Sequence, residues 1–116
     1  MNLSEIVNLI SNYSKDESCL LAFIFGSVAK GSSNPKDCDL FWVTIDTPDT
    51  NGWKLMKNMI SEMKTDFYAK FKIKLNVSIS TLDEFHEGSE LKQRILERPK
   101  IIIKTAYNKG SNPIGG

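Results

Sequence analysis

The segment CLLAFIF, residues 19–25, is an uninterrupted apolar run that Gly26 stops. Its length is that of a strand, and it lacks the polar alternation of a strand with one wet face. A run of this kind is expected as a β-strand buried on both faces, which asks for a layered fold with material on each side of a sheet.

The rest of the chain can supply those layers. Leu3, Ile6, Val7 and Ile10 recur at helical spacing with Ser4 near the start, predicting a short amphipathic helix that ends near Tyr13. SKDES is a loop, and SVAKG allows about one helical turn from Ser27 to Lys30 before Gly31 breaks it. DCDLFWVTI is a second strand, rich in β-branched and aromatic residues. Met56, Ile60, Met63, Phe67 and Phe71 fall at steps of three and four, so the longest helix is expected from Gly52 to about Ala69, its apolar stripe facing the core.

KFKIKLNVSIS alternates strictly. Phe71, Ile73, Leu75, Val77 and Ile79 lie on one side, and Lys72, Lys74, Asn76, Ser78 and Ser80 on the other, which predicts a strand with one polar face. Thr81 and Glu84 form a capping-box pattern for a helix over Leu82–Glu87, closed by Gly88. A further helix is expected from Ser89 to Arg98, stopped before Pro99, then a short strand in KIIIKTAY and a mobile tail over residues 108–116. The alternation of helices and strands implies an α/β (α+β) fold: one domain over residues 1–107, with a small mixed central sheet and flanking helices.

The chain has 116 residues, 41% of them hydrophobic, enough for one core without disulfide or metal support. Cys19 and Cys38 sit inside apolar segments without metal-ligand spacing and read as reduced core thiols. No apolar run approaches the roughly 20 residues of a membrane span and no secretory leader pattern opens the sequence, so a soluble, cytoplasmic protein is expected. A net charge of +1 gives no field for a long polyanion, so nucleic acid is not suggested as a partner. The charge is uneven: residues 1–50 carry 3 basic and 7 acidic side chains, and residues 51–116 carry 12 and 7. That basic rear half could receive a triphosphate or an acidic partner, or be an ordinary solvated lysine surface.

The chemistry concentrates in FGSVAKGSSNPKDCDLFW, residues 25–42. Residues i and i+2 of a strand project from one face, so Asp37 and Asp39 present paired carboxylates while Cys38 points into the core. Like charges held together are relieved by a proton, basic neighbours or a divalent cation, and Mg2+ prefers carboxylate oxygen. Upstream, Gly26 permits a sharp turn, and Ser27 with the leading amides of a helical turn can hold phosphate oxygens, aided by Lys30. A Gly-Ser after a strand is by itself usually a turn, and Asp-x-Asp by itself is common in acidic loops. The ordered combination is far more specific.

FIFGSVAKGSSNPKDCDLFWV resembles the signature of the DNA polymerase β-type nucleotidyltransferase superfamily: an apolar strand, Gly-Gly or Gly-Ser, then two acids alternating with hydrophobic residues. The short chain resembles the minimal nucleotidyltransferases of that superfamily, over about residues 18–107. The resemblance implies that Gly26 and Ser27 hold ATP or another NTP, to whose phosphates Lys30 could add a point charge, and that Asp37 and Asp39 bind Mg2+ or Mn2+. It implies transfer of an NMP, AMP foremost, to a hydroxyl with loss of pyrophosphate. It also implies a helical HEPN-type partner protein in a toxin–antitoxin pair, on which a chain without a clear acceptor-binding domain after residue 107 should depend.

The sequence departs from the pattern at one position. The third carboxylate of the family belongs on the next strand, where the best-matched residue is Asn76. Asparagine is neutral and cannot act as a general base. Two readings therefore stand, a nucleotidyltransferase and a catalytically impaired pseudoenzyme that binds and regulates a partner. Lys74, on the same polar face, is either an offset to the aspartates or an ordinary surface lysine. Asp83 and Glu84 read as first-turn helix acids, His86 as a surface residue, and Trp42 and Trp53 as core or partner contacts.

Overall fold

The computed structural model describes residues 2–87 and 99–106. Along the chain run α1 (Leu3–Ser14), β1 (Cys19–Phe25), α2 (Gly26–Ala29), β2 (Asp37–Thr44), α3 (Asn51–Phe71), β3 (Lys74–Thr81), α4 (Leu82–Glu87) and β4 (Ile101–Thr105). The helix expected over Ser89–Arg98 and the tail expected from residue 108 lie outside the described residues.

The four strands form one mixed sheet in the order β3-β2-β1-β4. β1 is antiparallel to both neighbours, and β2 and β3 run parallel. One face packs Ala22, Ile24, Cys38, Leu40, Trp42 and Leu75 against Ile6 and Ile10 of α1 and Met56, Ile60, Met63 and Phe67 of α3. On the other face Leu21, Phe23 and Val43 gather under Phe85 of α4. The run CLLAFIF thus has a core on each side of it, as its composition demanded. Cys19 and Cys38 are free and fully buried, and burial pushes both thiols up to about 12, out of reach of ordinary thiolate chemistry.

Local contacts set the ends of the helices. Asn2 caps α1, its side chain accepting from the Glu5 amide at 3.2 Å. α3 continues to Phe71, whose ring packs on Phe67 with centroids 4.7 Å apart. Phe71 satisfies both the helical step from Phe67 and the strand alternation toward Ile73, and the helical contact wins. Lys72 then ends the helix in the left-handed region at φ 61°, and β3 begins only at Lys74.

The capping box forms as predicted. The Glu84 amide donates to Thr81 Oγ1 at 3.1 Å, and the Thr81 amide donates to Glu84 Oε1 at 2.9 Å. Thr81→Ala should cost about 1 kcal/mol in urea denaturation. An unchanged midpoint would mean that water satisfies these amides equally well.

Candidate functional site

β1 runs directly into the single turn of α2, and the junction is Gly26 at φ +74°. A Cβ built there would lie 2.5 Å from Asp39 Oδ2. Glycine is therefore favoured by its backbone, and a side chain there would also displace the carboxylate against it. Gly31 also has positive φ, +86°, but open space surrounds it. Gly31→Ala should cost about 1–2 kcal/mol from backbone conformation alone, and Gly26→Ala clearly more, compared by urea denaturation. Equal losses would show that Asp39 moves aside without cost.

The turn closes through the Lys30 amide on the Gly26 carbonyl and the Ser32 amide on the Ser27 carbonyl, each at 3.0 Å. Its leading amides receive no side-chain cap, because the N-cap residue is Phe25. Ser27 is half-buried in this turn, and Lys30 is exposed at its end.

Asp37 and Asp39 are half-buried and alternate with the fully buried Cys38 and Leu40. They consequently project from the sheet face opposite α1 and α3. Asp39 stands in register with Phe25 of β1 and with Asn76 of β3. Asn76 Nδ2 donates to Asp39 Oδ1 at 3.2 Å, so one carboxylate oxygen is held by β3 while the other lies beside Gly26.

The structure thus brings together Gly26, Asp39 and Asn76, with Asp37 one pleat away on the same face. Lys74 is opposite Asp37 in register, yet it is exposed and borders a groove between α3 and β3 on the other side of the sheet. Trp42 is a core residue and Trp53 packs against the core, while His86 is exposed.

Asp37 and Asp39 offer oxygen donors of the kind a hard cation takes, and Gly26 keeps the space beside Asp39 Oδ2 clear. Among the described residues no group of three His, Cys, Asp or Glu side chains could hold a metal ion. Two carboxylates are what this face could offer a divalent cation, with Asn76 tying one of them down rather than adding a third.

Sequence reasoning passed over Phe25 and Phe41. Phe41 shares the Asp39 face, and its ring stacks on Phe23 with centroids 5.2 Å apart; Phe25 meets Phe23 edge-on at 6.3 Å. The i+2 relation to Asp39 could have identified Phe41, whereas Phe25 is placed by register alone.

No protein-family model and no curated protein matches this sequence. Solved structures do. A toxin–antitoxin crystal structure with AMP-PNP aligns with TM-score 0.55 and 14% identity, over 90% of this chain and 74% of that one. A mutant of the toxin–antitoxin MntA-HpeT aligns with TM-score 0.54 and 15% identity, over 90% and 73%. A crystal structure from Shewanella oneidensis gives 0.53 and 15%, over 90% and 73%. Such identities speak to architecture, and with the mixed sheet and flanking helices described above they establish that this chain has the nucleotidyltransferase fold.

Proposed function

We propose that this protein is a divalent-cation-dependent nucleotidyltransferase that moves an NMP, AMP foremost, from an NTP to a hydroxyl of a partner protein, within a toxin–antitoxin pair. The observation that carries the reading is the junction of two elements. The uncapped turn at Gly26 and Ser27 abuts a face bearing Asp37 and Asp39, a phosphate-holding end set against a cation-holding one. Similarity in fold to a toxin–antitoxin structure with AMP-PNP supports both the nucleotide and the protein partner.

In this reading the amides of Gly26 and Ser27 take the phosphate oxygens, and Lys30 adds a positive charge near them. Asp37 and Asp39 hold Mg2+ or Mn2+, which would offset the charge on the triphosphate. The acceptor oxygen bonds to the α-phosphorus as the bond to pyrophosphate breaks, and the hydroxyl proton passes to solvent water. Asn76 cannot take that proton. Its hydrogen bond to Asp39 instead favours a second reading, in which the site binds a nucleotide but a partner is regulated without transfer.

Labelled ATP, Mg2+ or Mn2+ and a helical partner encoded beside this gene separate the two. Transfer of label to the partner is expected. Cation-dependent binding without transfer would favour the second reading, and absence of both would overturn the nucleotide site. No helix among the described residues is long and apolar enough to cross a membrane.

A further inference from the structure

β3 is an edge strand, paired with β2 along all eight of its residues. Among the described residues no strand pairs with its outer side, which leaves a row of backbone donors and acceptors for another chain. Beside that edge, on the sheet face opposite Asp39, a groove of about 690 Å³ lies between β3 and α3. Leu75, Val77 and Ile79 give it an apolar floor, and Val77 and Ile79 are only half-buried.

Its charge is of one sign. Lys57, Lys64 and Lys74 line the groove, all exposed, and no acidic side chain is among the lining residues. Lys57 and Lys64 are two helical turns apart on α3, about 10 Å along its axis. That spacing falls between two and four residues of an extended chain lying alongside, steps at which side chains share one face.

We propose that this groove docks an extended acidic segment of a partner protein, which adds a strand to the free edge of β3. Backbone bonds to β3 supply the register, and the side chains on the groove face of the segment, at every second residue, include apolar ones that cover Leu75, Val77 and Ile79 and carboxylates that reach Lys57, Lys64 and Lys74. A second copy of this chain is a poor occupant, because pairing edge to edge would bring the same three lysines together. Phosphates of a nucleic acid would suit the lysines but leave the apolar floor in water. The inference does not depend on the nucleotide reading, since the groove and the aspartates lie on opposite faces of the sheet.

The probes are a ten-residue peptide with valine and glutamate in turn at every second position and serine between them, so that both share one face, its valine–lysine counterpart, and the acidic peptide N-methylated along one edge or the other. Titrated into the full chain, the acidic peptide should bind about tenfold or more tighter than the lysine peptide and slow amide exchange over residues 74–81. Reversal of charge in Lys57→Glu/Lys64→Glu should weaken it by about tenfold or more, with circular dichroism unchanged. N-methylation should abolish binding on one edge only. Failure to bind, indifference to the charge reversal, or protection outside residues 74–81 would overturn the proposal. Equal affinity for oligothymidylate would reassign the groove to nucleic acid, and protection of residues 74–81 that rises with protein concentration alone would reassign it to self-association.

Discussion

Asp39→Ala is expected to abolish cation-dependent nucleotide binding while the chain stays folded. Asp39 is the residue on which the site converges, in register with Phe25, bonded to Asn76 and in near contact with Gly26. Its removal takes one of two carboxylates from the cation and leaves the Asn76 amide without its partner. The stability lost should be about 1–3 kcal/mol, the usual cost of an orphaned, partly buried polar group. The affinity lost should be far greater, on the order of a hundredfold for Mg2+-dependent ATP binding, because a hard cation held by two carboxylates depends on both. Asp39→Asn is the discriminating companion. It retains an oxygen to accept from Asn76 while removing the charge, so it should preserve stability and still lose binding. Calorimetric titration of ATP with Mg2+ and with EDTA, beside urea melts of each variant, measures both quantities. Wild-type affinity in Asp39→Ala would remove the aspartates from the site.

Asn76→Asp should act in the opposite direction and depend on the ion. Without divalent cation the substitution replaces a donor, 3.2 Å from Asp39 Oδ1, with a third carboxylate facing two others. Loss of a charge-assisted hydrogen bond costs about 1.5–3 kcal/mol, and the added repulsion enlarges it. For a domain of this size each kcal/mol corresponds to about 4–8 °C in melting temperature. Mn2+ should restore the loss and raise the number of ions bound per chain with nucleotide, and label transfer to the partner should increase. Identical melting of the variant in EDTA and in Mn2+ would show that position 76 does not face a cation. The experiment also separates the two functional readings, since a pseudoenzyme whose defect lies at Asn76 gains transfer when the carboxylate is supplied.

Much of the fold was legible because it is written in short-range periodicities. The apolar run at residues 19–25 announced a strand covered on both sides, and the steps from Met56 to Phe67 announced the helix that covers one of them. The Thr81–Glu84 pair fixed the start of α4 because both partners lie within one turn of each other. Legibility failed where two periodicities shared a residue. Phe71 fits either pattern, and only its contact with Phe67 assigns it to α3. It failed again at Lys74, whose strand position put it on the polar face with Asn76. At an exposed edge strand its long side chain reaches the rim of the groove on the other side.

The candidate site divides along the same line. By itself the sequence determined that Asp37 and Asp39 share a face, that Cys38 between them is buried, and that a glycine turn follows the first strand. Each of these follows from bond geometry within a single strand or turn and needs no distant partner. Only the tertiary structure decided that Asn76, 37 residues away, bonds to Asp39, and that Gly26 stands so close to the same carboxylate that any side chain there would displace it. Strand register and the approach of one element to another depend on how the whole core packs, and local alternation does not encode them.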